Sequence, residues 1–352
     1  MTHYPVIVVG SGPAGASCAK AVVSGGVRCL VLEKYRLPRV KTCSGIIYGQ
    51  AQELLSKYFG KLPPKEVRCQ PEVVNANHAV EWREDNSLVK YIWELPKDGH
   101  VFSEDWLNVW RANFDFWLLT ESGADYADQA IFSGYTKSSE RIHVSVRSTS
   151  GESREYTCDY LVGADGAVSH VRRYVDPEGL KDVKTCVAEY CYYELQDLGR
   201  LKDAHWYVFL QKKFGDIICC VHRKDNTLAL SVGGFKGMKF EDRERSLVDF
   251  LRAEGGVALG PRKKMCGCAM VLAPPFLGDE NVLLAGDAAG LIYLNGEGIS
   301  SAIDSGYRAG QAIVDAIGQG KSDAASIYVK NAEDVLRHMD ACMQQLNYIA
   351  PS

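Results

Sequence analysis

No apolar stretch in the 352 residues approaches the roughly twenty needed to span a bilayer, so no membrane-crossing helix is expected. There is no long run of lysine and arginine, and the net charge is −4. That removes the electrostatic footprint of a nucleic-acid binder. There is no C-x-x-C pair. Cys266-Gly267-Cys268 and Cys219-Cys220 lack the spacing of zinc or dithiol sites, and no metal centre is expected. No charged segment and separate apolar leader precede Val6, so the chain reads as carrying no signal peptide. Internal repeats and low-complexity segments are absent too. The 12 cysteines are scattered, and Cys18, Cys29 and Cys158 fall in strand or helix patterns. They read as reduced, buried, small apolar side chains of a cytoplasmic protein.

What is present begins at once. Val6-Ile7-Val8-Val9 enters Gly10-Ser11-Gly12-Pro13-Ala14-Gly15, small residues follow to Val23, and Val27 to Leu32 ends in Glu33. The order is strand, tight turn, helix, strand. Gly10 allows the turn, Gly12 lets backbone N–H groups approach a diphosphate, and Gly15 lets helix and strand pack closely. The diphosphate belongs at the helix N-terminus beside Pro13 and Ala14, where unpaired N–H groups favour an anion. Glu33, about twenty residues on, is placed to accept from a ribose. This is a dinucleotide-binding pattern.

Further along, Gln50 to Phe59 and Trp106 to Glu121 have helical spacing. Strands are expected at Ala130–Thr136, Ile142–Ser148 and Glu155–Val162. From about Lys184 to Ala273 strand patterns dominate, with Asp242–Ala253 as one helix, predicting an antiparallel sheet with an aromatic wall. Val282 to Asp287 is a buried strand ending in Gly-Asp. Ile299–Ile317 and Ala324–Leu346 are helices, the last more a packed helix than a membrane anchor, so membrane contact is at most peripheral. The length suits about two domains. One is discontinuous (1–60, 100–180 and 275–352) and binds the nucleotide; the other (61–99 and 181–274) is β-rich and faces substrate.

Three separated motifs agree: Gly10 to Gly15 with Glu33; Gly163-Ala164-Asp165-Gly166 running on to Arg172-Arg173; and Gly286-Asp287-Ala288-Ala289-Gly290. Together they resemble the p-hydroxybenzoate hydroxylase superfamily of FAD enzymes. The resemblance implies an α/β (overall α+β) fold: a Rossmann-like FAD-binding domain with an inserted, mainly antiparallel substrate domain. Asp287 would accept from a ribityl hydroxyl, and Asp165-Gly166 would support the cofactor from the other side. The helix after Gly298, beginning at Ile299, would point its N-terminus at the flavin pyrimidine. Lys34 and Phe132 complete the cofactor-facing set.

Within that superfamily the chain resembles the geranylgeranyl reductase family. Cys43-Ser44-Gly45 is similar to its Cys-Gly loop. Arg111-Ala112-Asn113-Phe114-Asp115, continuing to Leu118, is similar to its Arg-x-x-Phe-Asp-x-x-Leu helix, whose arginine lies against FAD. Gly296-Glu297-Gly298-Ile299 is similar to its Gly-x-Gly-Ile. Where the aromatic hydroxylases carry His and Pro, this chain has Gly290 and Leu294. The Tyr-x-Trp-x-Phe-Pro of the isoprenoid tunnel is replaced by Ile218-Cys219-Cys220-Val221-His222-Arg223, running on to Gly233-Gly234, which argues against the geranylgeranyl group itself. Tyr91-Ile92-Trp93-Glu94-Leu95-Pro96 spells something similar but out of order, and reads as an amphipathic strand.

The resemblance implies hydride transfer from reduced FAD to a carbon–carbon double bond of a hydrophobic, lipid-like or isoprenoid small molecule. Electrons would come from NAD(P)H or a reduced electron-carrier protein, since no second Gly-x-Gly-x-x-Gly is present. Cys43, beside Lys41, is a candidate proton donor or redox partner. Tyr48, His222 and Tyr293 are the other candidate acids. Glu297 either bonds within its own loop or faces substrate. An FAD-dependent aromatic or polyketide monooxygenase and a non-catalytic flavin-binding redox module are the alternatives.

Overall fold

The computed structural model describes residues 2–92, 94, 99–100, 102–235, 237–293 and 296–349, the last seven as backbone alone. Of the tunnel-like segment, Trp93, Leu95 and Pro96 lie outside the described residues.

The β-branched run Val6–Val9 is fully buried at the centre of a six-stranded sheet. It pairs in parallel with Cys29–Leu32 on one side and Tyr160–Gly163 on the other. Val282–Leu284 extends the sheet beyond Tyr160–Gly163, and Asp125–Ala127 extends it beyond Cys29–Leu32, both in parallel. Gly278–Asp279 closes one edge antiparallel. Near-continuous apolar strands are what a sheet covered on both faces requires.

Two helices cover one face, and they touch through glycine. A Cβ at Gly306 would come 2.1 Å from the carbonyl oxygen of Ala14, and one at Gly310 2.4 Å from that of Cys18. The helix Ile299–Gly318 therefore lies against Pro13–Ser24 at backbone distance, and its first turn arrives beside the first glycine turn.

A second sheet of seven strands is built from residues 79–90 and 184–272. Its order is Ala258–Leu272, Lys184–Asp197, Thr227–Phe235, Cys219–Lys224, Trp206–Phe209, Ala79–Trp82 and Leu88–Lys90. All pairings are antiparallel except that of Trp206–Phe209 with Ala79–Trp82. The helix Phe240–Ala253 packs Leu247, Val248 and Leu251 against it. Between the two large sheets, Ile46–Ile47, Asp105–Val109 and Arg68–Asn75 form a small antiparallel sheet. The segment 61–99 thus divides: Arg68–Asn75 joins the small sheet, while Ala79–Trp82 and Leu88–Lys90 join the large one.

Three elements depart from the sequence reading. Trp106 begins not a helix but the strand Asp105–Val109, paired on both sides; the helix starts at Arg111 and runs to Ser122. Two-sided backbone pairing outweighs an apolar spacing that fits either element. Glu155–Val162 is two strands, Ser153–Cys158 and Tyr160–Gly163, in different sheets. The amides of Asp159 and Tyr160 both donate to the Pro5 carbonyl, and the chain switches sheets there. Ala324–Leu346 is two helices, Ala324–Asn331 and Glu333–Ile349. Among the described residues no helix is long and apolar enough to cross a membrane.

Candidate functional site

A cavity of about 490 Å³ opens between the sheets, and its lining runs from Gly10, Gly12 and Glu33 at one end to Asp287, Gly298 and Ile299 at the other. The first end is built from backbone. Gly10 has φ +105, and a Cβ on it would sit 2.3 Å from the Ala164 carbonyl oxygen. At Gly15 the same atom would be 1.9 Å from the Gly10 carbonyl oxygen, so the helix cannot approach the strand with any side chain there. Gly12 differs: a Cβ would meet only Arg39 Nη2, at 3.5 Å. Its empty side faces the cavity at the start of a helix with Pro13 in its first turn, no acidic side chain there and no side-chain cap. An uncapped N-terminus with a guanidinium beside it suits a diphosphate. The residues here fit FAD on that ground. Gly15, Gly45 and Gly286 do not line the cavity; Gly15 and Gly45 hold its walls at backbone distance, and Gly286 packs on the Ala14 and Ala302 methyl groups, while Lys34, Phe132 and Gly166 line it.

Two expected cofactor contacts are already engaged by the protein. Glu33 Oε2 accepts from Ser11 Oγ at 2.6 Å, Ser11 N at 3.3 Å and Arg39 Nε at 2.9 Å, and Oε1 accepts from Tyr35 N at 3.0 Å. Three of these bonds fall on Oε2 and one on Oε1, so the protein takes most of the carboxylate's roughly four acceptor positions and Oε1 keeps one open. Burial pushes its pKa up, but Arg39 and the Ser11 and Tyr35 bonds outweigh this and hold it below the ordinary value. Asp165 likewise lines the cavity yet spends its oxygens on a turn. Oδ1 accepts from Ser169 Oγ at 2.5 Å, and Oδ2 from the amides of His170 at 2.6 Å and Val171 at 3.3 Å.

Arg39 and Asp115, which sequence reasoning did not single out as site residues, join the two ends. From Glu33, Arg39 Nη1 reaches Asp115 Oδ2 at 3.0 Å. Arg111 grips the same carboxylate, Nε to Oδ1 at 2.6 Å and Nη2 to Oδ2 at 3.0 Å. Arg111 in turn stands beside Cys43. Burial pushes that thiol up, but Arg111, the Gly45 amide and Lys41 hold it below the ordinary thiol pKa. A buried chain of alternating charge thus runs from Glu33 to Cys43. The signal was available for one link only, the i, i+4 spacing of Arg111 and Asp115 on a helix.

The Cys43 loop is also held from the other sheet. Lys224, only 1% exposed, donates to the carbonyl of Ser44 at 2.9 Å, that of Val109 at 2.7 Å and Asn108 Oδ1 at 2.8 Å. All three ammonium protons are used. His222 Nε2 lies 3.3 Å from the same Ser44 carbonyl, and its ring stacks on Trp206 at 4.3 Å. Burial first, then Lys224, push its pKa well down. His222 is 1% exposed and does not line the cavity, so the structure makes it a support of the loop rather than an acid facing substrate. Tyr293 is also displaced from its expected place. It is buried behind the cavity wall, edge-on to His338 at 4.7 Å. Cys43, Ser44 and Tyr48 do line the cavity. Burial keeps the Tyr48 phenol far above its ordinary pKa.

Opposite the glycine cradle the wall is apolar and aromatic: Tyr190, Trp206, Ile218, Cys220 and Met270. At the far end stand two more carboxyls. Burial raises Asp287, opposed by Lys41 and Arg111. Glu297 spends Oε1 on the first amides of the Ile299–Gly318 helix, Ile299 N at 2.9 Å and Ser300 N at 2.8 Å. Those two donors are therefore not free to face a flavin ring. Oε2 has no hydrogen-bond partner among the described residues. Burial raises its pKa to about 7, with Glu94 adding to the effect against the opposing pull of the two amides and of the Ser300 hydroxyl. Glu94 itself caps the Gly49–Phe59 helix, accepting from the amides of Gly49 at 3.1 Å and Gln50 at 3.0 Å.

Comparison with known proteins agrees with this geometry. Residues 3–58 match the family model of an FAD binding domain. An uncharacterized protein of Methanosarcina barkeri is 24% identical over 96% of this chain and 81% of its own length. Protein CbrA of Escherichia coli is 26% identical, the match covering 51% of this chain and 48% of CbrA, about half of that protein. Among solved structures, a geranylgeranyl bacteriochlorophyll reductase-like protein from Thermoplasma acidophilum superposes with a TM-score of 0.77 at 19% identity, over 97% of this chain and 87% of that one. The myxobacterial halogenase CndH does so with 0.74 at 17% identity, over 98% and 82%. These likenesses are of fold. The chain carries an FAD binding domain at residues 3–58 and, over nearly its whole length, shares the fold of these proteins.

Proposed function

We propose that this protein reduces carbon–carbon double bonds of a hydrophobic, lipid-like or isoprenoid substrate, using reduced FAD. The observation that carries the reading is the division of one cavity. A backbone cradle for a diphosphate faces an apolar wall of Tyr190, Trp206, Ile218 and Met270, with ionisable side chains between them. An apolar substrate gains by leaving water for that wall, at about 25 cal/mol per Å² buried. When bound, reduced flavin supplies the hydride. The chain's own residues position the substrate, keep water out and supply a proton. Tyr48, held as a neutral phenol, orients polar groups beside the wall rather than titrating. Cys43, held toward its thiolate by Arg111, is the polarisable group of the loop. Electrons reach the flavin from NAD(P)H or from a carrier protein.

The test is anaerobic. Holoprotein is photoreduced, and polyprenyl alcohols are added while the flavin absorbance is followed. Reoxidation by an alkene without oxygen, with saturated product, supports the reading. Reoxidation by oxygen alone, with a hydroxylated or halogenated product, replaces it with a monooxygenase-type reaction. Bound flavin that no substrate reoxidises in either condition points to a non-catalytic redox module.

A further inference from the structure

The apolar wall carries a phenol that the protein leaves unused. Tyr190 pairs with Ser231, and Ser231 with Cys220, across the strands Lys184–Asp197, Thr227–Phe235 and Cys219–Lys224. Residues in register across a sheet present their side chains on one face, and all three of these line the cavity. The neighbouring polar groups of the wall are spent. Ser231 Oγ accepts from the Cys220 amide at 2.9 Å and lies 3.5 Å from the Cys220 carbonyl, and the Trp206 side chain hydrogen-bonds the Cys220 thiol. Tyr190 Oη has no hydrogen-bond partner among the described residues. Tyr293 Oη and Glu297 Oε2 are closed off from solvent, whereas Tyr190 Oη is not. Tyr190 is half-buried, so its oxygen opens on the cavity that the ring lines. Burial, helped by Cys220, Cys43, Tyr192 and Cys268, holds its pKa well above that of an ordinary phenol, and the group stays a neutral donor. Among the described residues from 188 to 270 that line the cavity, none carries a charge, so this wall does not call for an anionic group. A neutral O–H set in an apolar wall gains most from an uncharged acceptor, and a plain hydrocarbon double bond offers none. A carbonyl conjugated to the double bond uses the donor twice. It binds there, and its oxygen gathers negative charge there when hydride adds to the far carbon.

We propose that Tyr190 Oη–H is the specificity-determining contact of this site: it donates to a carbonyl oxygen of the substrate, and the double bond that is reduced is conjugated to that carbonyl. The inference rests on the reductase reading above and narrows its substrate to hydrophobic α,β-unsaturated carbonyl compounds. A hydride supplied by reduced flavin, with its electron pair, forms a C–H bond at the β carbon. The π pair of the double bond shifts toward the carbonyl carbon, and the carbonyl π pair moves onto oxygen. The enolate oxygen is held by the Tyr190 O–H, which keeps its own proton. A proton from water then forms the second C–H bond at the α carbon. The double bond is reduced, the flavin is oxidised, and the carbonyl is regenerated.

Tyr190→Phe removes one oxygen and keeps the ring, which lies 6.5 Å from that of Tyr192. Two measurements test the proposal. The first is binding to oxidised holoprotein, followed by the change in flavin absorbance. The probes are β-ionone, an apolar enone, and the hydrocarbon of the same carbon skeleton. Y190F should lose about two- to tenfold in affinity for the enone and nothing for the hydrocarbon. No loss, or an equal loss for both probes, overturns the proposal. The second is anaerobic reoxidation of photoreduced holoprotein. β-Ionone should reoxidise the wild type to give the saturated ketone, at least about tenfold faster than a polyprenyl alcohol does, and Y190F about a hundredfold more slowly, with photoreduction unchanged. Equal enone rates in the two proteins, or a polyprenyl alcohol that reoxidises the wild type as fast as the enone, overturn the proposal and leave the reductase reading intact. A wild type that neither compound reoxidises overturns the reductase reading and this narrowing of its substrate with it, whatever the binding difference at Tyr190.

Discussion

The two ends of the cavity are made by different means. The diphosphate end is a backbone surface in which Gly10 and Gly15 leave no room for a Cβ. The substrate end is made of side chains whose charges are held by partners far away in sequence. Arg39 reaches Asp115 across 76 positions, and Lys224 reaches Ser44 across 180. A backbone site tolerates almost no substitution but needs few residues to specify. A side-chain site can be retuned one group at a time. That difference is consistent with a fold shared by a reductase-like protein and a halogenase, each matching this chain at 19% identity or less.

The contrast can be broken most severely at Gly10. Gly10→Ala forces a Cβ against the Ala164 carbonyl at a left-handed φ. It should cost more than about 4 kcal/mol and prevent folded protein from accumulating; a soluble variant melting like wild type would refute the close packing. Next is Arg111→Met, which strips Asp115 and Cys43 of their shared cation. The loss should be about 3–4 kcal/mol, moderated because Arg39 still holds Asp115. The same variant should move the pH midpoint of Cys43 alkylation upward, whereas in wild type it lies below that of an ordinary thiol.

Glu297 gives a pH-dependent difference of about 3 kcal/mol, from a folded pKa of about 7 against an ordinary 4.5. The folded state keeps a proton that the unfolded state has lost. The stabilisation is fully present below about 4.5 and is lost as pH rises through about 7. Denaturant midpoints of wild type relative to E297Q should fall across that window and level off above it. Lys224→Met removes the ammonium donor from the Ser44 and Val109 carbonyls and from Asn108 Oδ1, leaving the Ser44 carbonyl only its contact with the His222 ring. It should cost about 2 kcal/mol, with faster amide exchange at Gly45 and Ile46. The smallest effect on stability is expected at Gly12. Gly12→Ala has room in the apoprotein and should melt normally. Its methyl group would intrude on the diphosphate, weakening FAD binding about tenfold, near 1.4 kcal/mol. Equal affinity would place the diphosphate elsewhere.

The same contrast explains what could be read from the sequence. The glycine turn, the strands around it and Asp287 were legible because backbone geometry is written in adjacent residues. The seven-stranded sheet was legible in type but not in order, since Trp206–Phe209 and Ala79–Trp82 pair across more than a hundred positions. The strand at Trp106 and the sheet switch at Asp159 were hidden, because each is decided by pairing partners rather than by periodicity. His222 and Tyr293 were chosen by residue type alone, and burial places both off the cavity. Asp115 gave only its i, i+4 spacing from Arg111, and Arg39 and Lys224 gave no local sign: a lysine in an alternating strand ordinarily points to solvent, and only the fold turns Lys224 toward the Ser44 carbonyl. Glu297 was left undecided between capping its own loop and facing substrate; its Oε1 takes the first amides of the helix that follows, and its Oε2 is buried.

The most direct test of a single cavity shared by the cradle and the side-chain site is Cys43 alkylation during FAD titration. Apoprotein is titrated with FAD, flavin binding is followed by fluorescence, and labelling of Cys43 is counted by mass spectrometry. The account predicts saturation at one FAD per chain, with Cys43 labelling slowing in proportion to occupancy. FAD binding that leaves Cys43 labelling unchanged, or no FAD binding at all, would contradict it.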